Sequence, residues 1–239
     1  MIEESVACHT TIVLLHGAGT GAWVWERVQA SLQTSSLALD IPCRVAGATP
    51  DGCAAAIVSE LDRRGVAEVV MVLHSLSGVL AAGLARRLGP RLKSCVFVAS
   101  VIPPNGGAFV DALGFINRSI LRILFRLNPR GLKPSAKMIR AAMCNDLSET
   151  DAELVIARYA AEWPGLYLTP MGGMPSGIRM EYVRLLRDQS VTLKQQGAMI
   201  THLQSPRIDS IDAGHLAMLS RPTELAQILD AEAHDVNSP

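Results

Sequence analysis

Residues 69–78 read Val-Val-Met-Val-Leu-His-Ser-Leu-Ser-Gly, an unbroken apolar run that ends in a serine flanked by small residues. An apolar run of this length, without polar alternation, is the signature of a strand covered on both faces, and such strands occur in parallel sheets. The small residues after it open a helical segment, so the backbone must turn sharply from strand to helix around Ser75. A turn of that kind holds its apex residue in a strained conformation with the side chain pointing outward. Strain of this sort persists where it serves chemistry. A lone serine is a weak nucleophile, so a base and an orienting acid are required elsewhere in the chain.

Two downstream segments supply candidates. Ile211-Asp212-Ala213-Gly214-His215 closes a short strand-like stretch with a Gly-containing loop, which makes His215 the base candidate. Asp188 follows the strand-like run 180–187 and is the acid candidate. Asp209 and Asp212 lie too near His215 along the chain and read as strand-end residues. Upstream, Thr11–Leu15 is a buried strand followed by His16-Gly17-Ala18-Gly19-Thr20-Gly21. Glycines let that backbone fold back and direct N–H groups at a ligand. The N–H groups of Ala18 and of Leu76 are therefore the expected donors to a developing oxyanion. His16 and His74 read as structural neighbours of this site, and His202 as solvent-facing.

Strand-like runs near 11–15, 37–40, 68–73, 94–100, 179–186 and 207–211 alternate with helical runs near 23–33, 51–64, 77–88, 190–203 and 221–232. This alternation predicts an α/β fold, a mostly parallel doubly wound sheet. The segment 102–177 breaks the pattern, because it carries no strand signal and is bounded by Pro- and Gly-rich turns. It reads as an inserted helical cap (helices near 107–127, 134–144 and 148–161), with 1–101 and 178–239 forming the core. Ser148 is the expected N-cap of the third helix.

Lys plus Arg and Asp plus Glu each total 22 of 239 residues, so formal net charge is zero. This argues against a nucleic-acid partner, which demands clustered positive charge. No apolar run reaches the ~18 residues of a membrane span, and residues 1–5 lack the features of a signal peptide. Five scattered cysteines (Cys8, Cys43, Cys53, Cys95, Cys144) form no metal-ligand spacing. Neither a metal nor another cofactor is expected, and reduced thiols in a cytoplasmic setting are the simplest account.

The chain resembles the α/β-hydrolase superfamily over nearly its whole length. The Ser…Asp…His order is the one found there. The run from Leu14 to Trp25, with His16-Gly17-Ala18-Gly19, is similar to the opening of the small esterases related to plant methylesterases and hydroxynitrile lyases. Gly214-His215-Leu216-Ala217-Met218 through Pro222 is similar to their closing motif. The resemblance implies a Ser75–His215–Asp188 triad, an ester substrate and no cofactor. The elbow departs from the family's Gly-x-Ser-x-Gly, with Leu73 and Ser77 at the glycine positions; Leu73 is expected to widen the strand–helix crossing. The lyases of this group carry Thr at the place of Gly17 and Lys at the place of Leu216, which turns the expectation toward ester hydrolysis. Thioester or lactone hydrolysis, a lyase or cyclase, and a ligand-binding pseudoenzyme are the alternatives.

For the substrate pocket the expected walls are Gly17, Trp23, Phe109, Phe115, Phe125 and Tyr159, with Leu121, Met138 and Met143 beside them. Trp25 reads as core. Arg118, Arg122, Arg126 and Arg130 recur at a spacing of four and form one basic stripe. It reads as a solvated face or, more sharply, as a dock for an anionic partner such as a carrier protein or a membrane surface. A homodimer is compatible with the sequence.

Overall fold

The computed structural model describes residues 10–237, apart from the side chains of residues 105 and 116. Cys8 and residues 1–5 lie outside that range. Six strands, β1 (Thr11–Leu15), β2 (Ser36–Leu39), β3 (Val69–His74), β4 (Leu92–Val98), β5 (Arg179–Leu185) and β6 (Arg207–Ile211), form one sheet in the order β2-β1-β3-β4-β5-β6. Every pairing is parallel. β3 lies inside the sheet, with Leu73 in register with Leu15 on one side and Phe97 on the other. All six of its residues are buried, as the apolar run requires.

Helices cover both faces. Pro50–Arg63, Ala81–Leu88 and Leu193–Ile200 contribute Ile57, Leu84 and Met199 to one core layer. The short helices around Trp25 and Val28 join Pro222–Asn237 in the other, where Leu225 and Leu229 meet Val72, Val96 and Val183. Between β4 and β5 the segment 102–177 holds the helices Phe115–Leu127, Ala136–Met143, Glu149–Arg158 and Gly165–Leu168. Ser148 caps the third, accepting from the Asp151 N–H at 3.2 Å. Leu132 and Glu162 add one antiparallel backbone pairing that the sequence did not announce. The expected helix near 107–127 starts later, after two short 3₁₀ turns, because Gly106-Gly107 and Gly114 interrupt it.

Cys43, Cys53, Cys95 and Cys144 are buried free thiols. Burial pushes Cys43 and Cys95 up to about 12, so both stay protonated and inert. Among the described residues, no helix is long and apolar enough to cross a membrane.

One buried carboxyl stands apart. Glu181 in β5 is fully buried and in register with Arg207 of β6. Burial pushes it up to about 8, Asp209 and Glu232 add to the shift, and Arg207 opposes it. In the unfolded chain the group ionises near 4.5. Folding therefore retains a proton between pH 4.5 and 8, and native stability falls as pH rises through that window. Glu181→Gln copies the protonated form. Its melting temperature should match that of the original protein near pH 4.5 and exceed it by several degrees at pH 8. Thermal unfolding at the two pH values checks this; a gap that does not widen refutes it.

Candidate active site

The carboxyl ends of β1, β3, β5 and β6 deliver the site. At the end of β3, Ser75 adopts φ 52°, a left-handed conformation rare for a residue with a side chain. It opens the helical run that continues into Ala81–Leu88. Interactions around the turn hold this strain in place. The Ser77 hydroxyl lies within hydrogen-bond reach of the carbonyls of His74 (2.9 Å) and Leu15 (3.2 Å), tying the elbow to β1. The Val101 N–H donates to the Ser75 carbonyl at 3.0 Å, and the Ser100 hydroxyl donates to the Leu73 carbonyl. Ser77 thus supports the turn by hydrogen bonding where the family's glycine merely leaves room. Leu73 is fully buried within the sheet register.

His215 sits in the loop after β6. Its Nδ1 is 2.7 Å from Asp188 Oδ2, with both side chains buried. The second Asp188 oxygen accepts from the N–H groups of Ser190 (2.7 Å) and Val191 (2.9 Å). One carboxylate oxygen is thus anchored by backbone, and the other is left for the imidazole. Ser75 and His215 line one cavity of about 190 Å³, together with Ala18 and Leu76. Leu76 is the second residue of its helical turn, so its N–H has no carbonyl one turn back to bond.

The neighbouring histidines are fixed as scaffolding. His74 Nε2 is 2.9 Å from the carbonyl of His215, so it carries the proton and donates. Burial, and next the charge of His215, hold the His74 pKa well below the usual histidine value, so this ring stays neutral. It therefore tethers the base loop without competing as a base. His16 accepts from the Ile41 N–H at 3.1 Å and donates from Nδ1 to the Gly17 carbonyl at 2.8 Å, shaping the glycine loop. His202 is exposed, and its ring is 2.6 Å from the Ile102 carbonyl. Asp212 pairs with Arg187 at 2.9 Å and Asp209 with Arg207 at 3.0 Å, so neither contends for His215.

The glycine loop is clasped from outside. The Gly19 N–H donates to Glu162 Oε1 at 2.7 Å, and its carbonyl accepts from the Ala160 N–H at 2.9 Å. Arg44 meets the same Glu162 oxygen at 2.7 Å and donates to the Thr20 carbonyl at 2.6 Å. Gly19 has φ 72°, and a Cβ there would strike the Tyr159 ring at 2.1 Å. Segment 102–177 therefore locks the loop that carries the Ala18 N–H. Nothing in the sequence marked Glu162 or Arg44 for this task, because both are lone charges far apart in the chain.

Of the expected pocket walls, Phe109 and Tyr159 line the cavity on Ser75. Met143 does so as well, joined by Tyr167, Met199 and Gln195, which sequence reasoning missed. Six expected walls are corrected, and two of them, Leu121 and Met138, line an outer groove instead of this cavity. Phe115 is 75% exposed on the outer face of its helix. Phe125 is buried behind Tyr167 (ring centroids 4.9 Å apart) and lines a separate outer groove. Trp23 packs away from the cavity, with Arg158 over its ring at 5.2 Å. Gly17 lies beneath the site instead of lining it, and a Cβ there would meet His74 Nδ1 at 2.7 Å and Ser75 Cβ at 3.0 Å. The misses on the helices share a cause: periodicity groups residues on one face but does not say what that face packs against.

With fold and site in view, the chain belongs to the alpha/beta hydrolase family, whose model matches residues 12–228. It is similar to norfluorocurarine synthase 2 of Strychnos (25% identical, covering 91% of this chain and 92% of that one). It is also similar to the probable esterase PIR7A of rice, Oryza sativa (32% identical, over 39% of this chain and 40% of that one). Among solved structures, an extracellular α/β-hydrolase from a Paenibacillus species superposes with a TM-score of 0.81 at 16% identity, over 93% of this chain and 98% of that one. That likeness establishes the shared fold.

Proposed function

We propose that this chain hydrolyses a carboxylic ester of a compact apolar molecule through an acyl-enzyme on Ser75. Asp188 holds the His215 tautomer with Nδ1–H toward the carboxylate and stabilises the imidazolium that forms. His215 takes the Ser75 proton as Oγ attacks the carbonyl, and the N–H groups of Ala18 and Leu76 receive the oxyanion. His215 then protonates the departing alcohol. Water then attacks the acyl carbonyl as it gives a proton to His215, and His215 passes that proton to Ser75 Oγ as the acyl–oxygen bond breaks and the acid leaves. Segment 102–177 acts as the cap, supplying Phe109, Met143, Tyr159 and Tyr167 to the cavity wall.

The observation that carries this reading is the His215–Asp188 contact at 2.7 Å, with its other oxygen anchored, opening on the cavity that Ser75 lines. The lyase alternative is disfavoured by the crowding that a side chain at Gly17 would meet, and by buried Leu216 where a charge would be needed. Thioesters and lactones fit the same machinery. A non-hydrolytic use of the pocket is the competing reading, favoured by the full-length likeness to a protein named a synthase.

A fluorophosphonate probe tests the nucleophile. It should label the intact protein at Ser75 and leave Ser75→Ala unlabelled. Release of both acid and alcohol from a panel of small esters then separates hydrolysis from synthase-type chemistry. Absence of labelling removes the nucleophile assignment.

A further inference from the structure

The outer surface of segment 102–177 carries two features that the site does not use. The first is apolar. On the helix Phe115–Leu127, residues Ile120, Ile123, Leu124 and Leu127 fall at i, i+3, i+4 and i+7, the spacing of one helix face. That face points to solvent: Leu127 is 72% and Ile123 58% exposed, and Met138 on the adjacent helix is 62% exposed. Leu121 and Phe125 serve the inward side. Large aliphatics gathered on one exposed helix face mark an interaction surface.

The second feature is charge. From residue 112 to residue 145 there is no Asp or Glu, while Arg118, Arg122, Arg126, Arg130, Lys133, Lys137 and Arg140 all fall there, in a chain of zero formal net charge. Arg118 and Arg122 lean on Asp111, and Arg140 pairs with Glu149. Arg126, Arg130, Lys133 and Lys137 are exposed and have no ion-pair partner among the described residues. On the helix itself Arg118, Arg122 and Arg126 run along a face beside the aliphatic one. A helix with exposed aliphatics next to an acid-free basic flank has the composition of a segment that lies in a lipid interface.

We propose that this face docks on an anionic lipid surface, with Ile120, Ile123, Leu124 and Leu127 entering the headgroup boundary and Arg126, Arg130, Lys133 and Lys137 facing the anionic headgroups. Charge complementarity selects the occupant, since the patch lacks any acid with which to meet a basic partner. The pathway behind it is consistent. A groove of about 380 Å³ lined by Leu121, Leu124, Phe125 and Met138 runs inward to Tyr159 and Tyr167. Those two rings also line the cavity on Ser75. A molecule dissolved in lipid thus meets an apolar groove at the docking face that reaches the wall of the cavity. The docking does not depend on the hydrolytic reading, and its readout is binding.

The intact protein is sedimented with vesicles of phosphatidylcholine alone and of phosphatidylcholine with phosphatidylglycerol. It should pellet with the second at low salt, pellet far less with the first, and be released as salt is raised. The triple variant Arg126→Glu/Arg130→Glu/Lys137→Glu and, separately, Ile123→Ser/Leu127→Ser should each lower the bound fraction roughly tenfold or more. None of these residues lines the groove or the cavity, so each variant should keep the circular-dichroism spectrum and cooperative thermal unfolding of the original protein, which reports an intact fold whether or not the protein turns over an ester. Equal pelleting with both vesicle types, absence of pelleting, or unchanged binding by both variants overturns the proposal. So does a dimer of the free protein that Ile123→Ser/Leu127→Ser dissociates, because a second copy would then be what covers the face.

Discussion

Ser75→Ala is expected to reduce kcat for an activated short-chain ester by about 10⁴- to 10⁶-fold, with little change in melting temperature. The substitution removes a single oxygen and keeps the Cβ, so the backbone strain at φ 52° is the same before and after. The bonds that hold the turn come from Ser77, Ser100 and Val101, and all of them remain. What disappears is the hydroxyl proposed as the attacking atom. A residue of ordinary structural importance would give the reverse result, a lower melting temperature with activity retained per folded molecule. Steady-state kinetics beside thermal unfolding separates the two, and retention of most of the rate would exclude Ser75 as nucleophile.

Asp188→Asn is expected to cost about 10⁴-fold in kcat, and the local geometry says why. Oδ1 of Asp188 accepts from two backbone donors, Ser190 and Val191. An asparagine must place its carbonyl oxygen there, since an NH₂ would face two N–H groups. Its NH₂ then occupies the Oδ2 position and points at His215 Nδ1, 2.7 Å away in the present structure. A donor there forces Nδ1 to accept, which puts the ring proton on Nε2 and leaves no lone pair to take the serine proton. Rotating the amide does not rescue it, because the backbone donors reject the alternative. A loss smaller than about tenfold would mean that another carboxylate orients His215.

Much of the architecture was legible in the chain. The apolar runs at Val69–Leu73 and Cys95–Ala99 demanded strands covered on both faces, and β3 and β4 are those strands. The Ser…Asp…His order and the glycine loop after β1 were equally readable, since strand ends and tight turns leave local signatures. Pocket membership was not. Phe115 and Phe125 look alike in a helical pattern, yet one faces solvent and the other packs behind Tyr167. The difference depends on how the helix Phe115–Leu127 is rotated against its neighbours, which is settled by packing partners far away in sequence.

What the chain determined alone was periodic and local: which segments become strands, where the backbone turns, and which hydroxyl stands at the turn. The tertiary structure decided what depends on long-range convergence. It brought His215 to Asp188, tied His74 to the base loop, and closed Glu162 and Arg44 over Gly19. Such contacts join residues separated by tens to more than a hundred positions, and a single buried hydrogen bond leaves no periodic trace for a reader of the sequence to find.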